Sequence, residues 1–116
     1  GMANPPEKAL AGAQVLLVAI SDDAVAPFLA EHFADSSKTR VHFSGSRSFP
    51  GVTGLHPLMT FGPDLYDIET YRSIPFVEEA GGLSFAAVFP RLRNRSFAID
   101  TQAKPLYHAL CVLGVN

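Results

Sequence analysis

Six consecutive apolar residues, Val15 to Ile20, run directly into Ser21, Asp22 and Asp23, and this junction constrains the fold more than any other feature of the chain. An apolar run of this length without alternation predicts a strand buried on both faces. The Ser-Asp-Asp step then predicts a helix start, with an N-cap and negative charge in the first turn. From Asp23 to Phe33, the residues Val25, Phe28, Leu29 and Phe33 fall at helical spacing, and Pro27 lies close enough to the first turn to be tolerated. Asp35, Ser36 and Ser37 break the helix, and Arg40 leads into a second apolar run, Val41 to Phe43. Strand, helix and strand follow one another in fewer than thirty residues, which is a βαβ unit. Its strands should be parallel and its crossover right-handed.

Candidate chemistry gathers just beyond that unit. Val41, His42 and Phe43 open into Ser44, Gly45 and Ser46, which can bring backbone N–H groups and hydroxyls close to a ligand at a strand end. A further run, Leu55 to Phe61, carries His56, Pro57 and Thr60. The residue before a proline is held extended, which would aim His56 at a substrate carbonyl, although a hydrogen-bonded histidine at a strand end reads equally well. No G-x-S-x-G elbow accompanies Ser44 and Ser46, so turn formation and ligand hydrogen bonding explain them better than hydrolase chemistry.

The remainder of the chain continues the α/β pattern. Glu7 to Ala13 can form one or two helical turns. Pro63 to Arg72 reads as a long surface connection anchored by Tyr66 and Tyr71. Ser73 to Glu78 reads as a strand, with Pro75 at an edge or a strand end. Leu83 to Leu92 has short helical spacing that Pro90 should end, and Ser96 to Ile99 is a short final strand. Asp100 and Thr101 can cap a last helix, Lys104 to Asn116, in which Leu106, Ala109, Leu110 and Leu113 share one face. Lys104 and His108 share another face, as a proton donor and its orienter or as a solvated lysine and a packed histidine.

Composition excludes several classes. A chain of 116 residues, 47% hydrophobic and with a formal net charge of -2, is one domain with no basic patch for nucleic acid. Arg91, Arg93 and Arg95 alternate around a break and read as a solvated surface. The longest uncharged apolar stretch, Leu10 to Ile20, is too short to span a bilayer, and no charged leader precedes it, so a cytoplasmic location and no membrane partner are expected. Cys111 is alone, which allows no intrachain disulfide and suggests a buried, inert thiol. His42, His56, His108 and Cys111 offer only one pair at usable spacing, so no metal site is expected.

Four segments, VLLVAISDDAV, VHFSGS, LHPLMTF and KPLYHALCVLGVN, in this order and spacing, resemble Rossmann-like NAD(P)-dependent oxidoreductases. Within that family they are similar to relatives of the coenzyme-F420-dependent NADP oxidoreductases and of pyrroline-5-carboxylate reductase, in a branch with a C-terminal helical domain of unknown function. The resemblance implies a partial Rossmann-like α/β fold, with a mostly parallel sheet flanked by helices. Gly1 before Met2 and the paired prolines read as a tag remnant and disordered entry over 1–8, and the resemblance implies a Rossmann-like half domain over 9–103 and, over 104–116, the start of a helix leading to a further helical domain. It implies NAD or NADP as cofactor, with Ser21, Asp22, Ser44 and Gly45 on the nicotinamide side. It implies catalytic roles for His56, Lys104 and His108, and substrate-side positions for Thr60, Tyr107 and Asn116.

The G-x-G-x-x-G turn that holds a pyrophosphate is missing from the sequence, so this chain alone should bind a dinucleotide poorly and turn over little. The expected function is an oxidoreductase-like domain that supplies the nicotinamide- and substrate-side walls. The alternative is a cofactor-free binding or self-assembly module. A homo-oligomer formed through an exposed sheet edge or the C-terminal helix is expected in either case.

Overall fold

The computed structural model describes residues 12–33, 37–59 and 63–115, with the backbone alone over 112–115. Five strands, β1 (Val15–Val18), β2 (Thr39–His42), β3 (Thr53–Pro57), β4 (Phe76–Glu79) and β5 (Ser96–Ile99), form one sheet in sequence order. The first three are parallel, β4 is antiparallel to β3, and β5 is parallel to β4. Helices α1 (Asp22–His32), α2 (Ile68–Ser73), α3 (Phe85–Val88) and α4 (Lys104–Val115) flank this mostly parallel α/β sheet, and a 3-10 turn (Thr101–Ala103) runs straight into α4.

α1 covers one face of β1 and β2. Val25, Leu29 and Phe33 meet Leu16, Val18 and Val52 in a buried cluster, with Phe28 and Phe49 at its margin. The other face of β1 departs from the expected two-sided burial, because Val15 and Leu17 are 37% and 50% exposed. An unbroken apolar run fits a strand covered twice, but among the described residues only one layer lies over β1. Ser21 occupies the N-cap position of α1 without a side-chain cap bond, and Asp22 and Asp23 supply negative charge to the first turn.

On the opposite face, Val41, Leu55 and Phe85 are buried together, with Phe43, Phe76, Val88 and Phe89 packed around them. Phe85 is almost fully enclosed, and burial of a side chain that size contributes about 2–3 kcal/mol. The expected helix over Leu83 to Leu92 contracts to the single turn α3. Ser84 caps it by accepting from the Ala87 N–H, and Pro90 follows directly.

One connection differs from expectation. The segment 63–72, read as a surface connection, contains α2, whose N-cap Asp67 accepts from the Thr70 N–H at 2.8 Å. That helix buries no residue, so no apolar face announced it. β4 lies inside the sheet between β3 and β5, and Pro75 precedes its first residue, so no ladder hydrogen bond is lost.

The link from β2 to β3, residues 43–52, contains no helix although the strands are parallel. A staggered sheet makes this possible. Thr53 pairs with Val41, so β3 begins beside the end of β2 and the chain returns by only a short distance. Phe49 and Val52 take the place of a crossover helix against α1. The Arg40 guanidinium secures the link by donating to the carbonyls of Phe33 and Gly51.

Candidate functional site

The site grows from the end of β2. The Ser44 hydroxyl donates to Asp22 Oδ2 at 2.8 Å and accepts from the N–H groups of Ser46 and Arg47. The Ser46 hydroxyl also donates to Asp22 Oδ2, at 3.1 Å. Arg47 pairs with Asp23. The first turn of α1 therefore grips the loop by both of its acidic side chains, while the loop's serines fold it into a tight turn.

Beneath the loop lies a buried charged row. Val18 pairs with His42 and His42 with Gly54 across the parallel strands, and the antiparallel register then sets Gly54 beside Glu79. A glycine at position 54 is required here, because a Cβ would collide with the Glu79 carboxylate and its Cγ. The missing side chain lets Glu79 reach across β3 until its Oε1 lies 3.0 Å from His42 Nε2.

Lys104, at the start of α4, completes the row from above. Its ammonium pairs with Glu79 and donates to the carbonyls of Ser44, at 3.0 Å, and Arg47. Lys104 is only 2% exposed and Glu79 8%, so each charge is acceptable mainly because of the other. The Ser44 N–H donates to His42 Nδ1, which places the ring proton on Nε2. His42 Nε2 nevertheless makes no well-directed hydrogen bond. Burial holds the His42 pKa below its ordinary value of 6.5, against the pull of Glu79 and with Lys104 adding to the lowering.

Two positions further along β3, His56 lies on the same side of the sheet as Gly54. Its ring packs so closely on Gly45 that a Cβ there would come within 2.6 Å of Nε2. Its Nδ1 is 2.6 Å from the Tyr107 hydroxyl of α4. Burial lowers the His56 pKa, and Lys104 and His108 lower it further. The Tyr107 phenol is pushed well above its usual range, chiefly by burial and then by its contact with Cys111. Near neutral pH the site therefore holds a neutral imidazole against a protonated phenol.

The structure thus gathers Asp22, Ser44, Gly45, His56, Lys104 and Tyr107 around the carboxyl ends of β2 and β3. Ser21 sits exposed at the same rim. Every polar group of Ser44 is engaged within the protein. His108 is exposed on α4 while Lys104 is buried, so the two do not share an environment. Thr60 and Asn116 lie outside the described residues. Sequence reasoning passed over Glu79 and gave His42 no role in the site. Gly54, isolated inside a strand, was the available signal, since such a glycine marks a close approach. No group of three or more acidic, histidine or cysteine residues capable of holding a metal occurs among the described residues, and no helix there is long and apolar enough to cross a membrane.

No protein-family model matches the chain, and no curated protein sequence matches it. Solved structures do. The crystal structure of protein TM1727 from Thermotoga maritima aligns with a TM-score of 0.65 at 23% identity, over 87% of this chain and 43% of that one. The structure of BF3122 from Bacteroides fragilis, whose name proposes an NADP oxidoreductase, aligns with a TM-score of 0.64 at 22% identity and the same coverage. These likenesses show that the fold is a partial Rossmann-like sheet. The chain spans less than half the length of either structure.

Proposed function

We propose that the chain forms the nicotinamide- and substrate-side walls of an NAD(P)-dependent oxidoreductase. The observation that carries this reading is the loop 44–47, held by Asp22, Asp23 and Lys104 at the carboxyl ends of parallel strands, with His56 beside it. Ligands of open α/β sheets bind at such strand ends. The name of the Bacteroides fragilis neighbour agrees with it.

The residues fit one end of a dinucleotide. The His56 ring already fills the space beside Gly45, so Ser46 and Ser21 at the rim are the groups that would meet a flat ring, whereas no glycine-rich turn in the sequence suits a pyrophosphate. When bound, NAD or NADP would supply the hydride chemistry. Asp22 fixes the serine hydroxyls, and Lys104 is a positioning residue that holds the loop by its carbonyls. With the Tyr107 hydroxyl donating to Nδ1, His56 carries its proton on Nε2 and can donate to a substrate carbonyl or imine. The resemblance gives His108 a catalytic role and Thr60 and Asn116 the substrate side; His108 is exposed on α4, and the other two lie outside the described residues. This chain alone is expected to turn over little.

A second reading rests on the uncovered face of β1, where Val15 and Leu17 are exposed on a strand with no neighbour beyond it among the described residues. In that reading the domain is a cofactor-free assembly module that joins a second copy through this edge. Calorimetric titration with NADPH and NADH, beside a light-scattering mass, separates the two. Saturable binding, with micromolar or weaker affinity, supports the oxidoreductase wall. No binding up to millimolar cofactor together with a stable dimer supports the assembly module.

A further inference from the structure

A cavity opens beside residues 48–52, at the start of β3 and the carboxyl ends of β4 and β5. Its volume is about 610 Å³, within the range of small-molecule sites. Phe49, Pro50, Val52 and Leu83 give it an apolar wall, and Thr53 and Thr101 bring hydroxyls. Glu79 is its sole ionisable lining residue.

Charge and hydrogen bonding together narrow the ligand. The Glu79 carboxylate is already balanced by Lys104, which lies behind it and does not line the cavity, and burial disfavours the charged form of His42. A cationic ligand would therefore meet a charge that is already compensated, and would be repelled by the lysine at close range. An anion would meet a carboxylate. The contacts of Glu79 to Lys104 and His42 both run through Oε1, which leaves Oε2 to accept from something else. A hydrogen bond from a neutral hydroxyl to a carboxylate is stronger than one between neutral groups and brings no charge with it.

We propose that this cavity is a binding site for a small uncharged ligand that carries a vicinal diol on an apolar body. One hydroxyl of the diol donates to Glu79 Oε2, the other reaches the threonine hydroxyls, and the carbon framework lies against Phe49 and Leu83. A monosaccharide and the ribose of a nucleoside share this chemistry. The cavity shares Glu79 with the row beneath the loop 44–47, but the proposal does not depend on that loop binding a dinucleotide.

The test uses the full chain, labelled with nitrogen-15, and three probes that share one ring: cis-1,2-cyclohexanediol, cyclohexanol and cyclohexylammonium. The diol is expected to shift the amide resonances of Gly51, Gly81, Gly82 and Leu83 saturably, and to bind about tenfold or more tightly than the single alcohol. Methyl riboside and adenosine, run in parallel, show which diol source fits better. Thr101→Phe, a substitution on the exposed wall that leaves Glu79 and Lys104 in place, should abolish the shifts while the rest of the spectrum is retained. Glu79→Gln should weaken the diol in the same way, provided its spectrum shows a folded chain. Equal affinity for diol and alcohol, tighter binding of the ammonium, shifts confined to Ser44 and Gly45, or no saturable shift would each overturn the proposal.

Discussion

The Tyr107 hydroxyl lies 2.6 Å from Nδ1 of His56, with the two rings nearly perpendicular and their centroids 5.6 Å apart. The contact joins the last helix to the third strand across 51 residues of sequence. Tyr107→Phe removes the bond while keeping the ring contact. It should lower stability by about 0.5–1.5 kcal/mol in urea denaturation. An unchanged midpoint would mean that the pair contributes nothing to holding α4 on the sheet.

Gly54→Ala is expected to be among the most damaging single-methyl changes in the chain. The new Cβ would occupy the space of the Glu79 side chain, so the carboxylate would have to leave Lys104 and His42. A loss of about 2–4 kcal/mol is expected, more than overpacking alone usually costs, because a buried charge is unpaired as well. Gly12→Ala, where nothing lies within 4 Å of an added Cβ, is the control.

Breaking the buried pair from one side should cost more than removing both charges. Lys104→Met strands the Glu79 carboxylate and should destabilise by about 3–5 kcal/mol. Lys104→Met combined with Glu79→Gln should recover part of that loss. A double variant no more stable than Lys104→Met would show that the lysine acts through its bonds to the Ser44 and Arg47 carbonyls rather than through its charge.

His42 and His56 set the acid limit of stability. Both are held below their ordinary value of 6.5, chiefly by burial. Below pH 6.5 the unfolded chain takes up protons that the folded chain still refuses, so the unfolded state is favoured as pH falls. Stability should be flat from about pH 8 to about pH 7 and decline through the window below 6.5. Urea midpoints measured across that range test this, and His56→Gln should reduce the slope. A flat profile down to about pH 5 would show that neither ring is protected.

The sequence made the sheet legible wherever pattern and periodicity coincide. The βαβ unit, β5 and α4 follow from apolar spacing and caps. α2 was hidden because it buries nothing and so carries no apolar stripe for periodicity to detect. The exposed face of β1 was hidden because a strand's composition does not say how many layers lie over it. At the candidate site, Ser44, His56 and Lys104 were singled out by residue type and by a family resemblance, but their environments were not legible. Lys104 reads as a solvated lysine until Glu79 is placed beside it, and that placement depends on an antiparallel register and on one missing side chain at Gly54.

The loop 43–52 contains no helix or strand, and one of its outside holds comes from Lys104, 60 residues beyond Ser44. Its last contacts therefore form late in folding. A partly folded chain can pair β1 to β3, pack α1 and hold the loop by Asp22, Asp23 and Arg40, and the docking of α4 then adds the Lys104 bonds to the Ser44 and Arg47 carbonyls. Contacts this distant in sequence slow folding. On a ribosome, the sheet would emerge and pair before its serine loop took its final form.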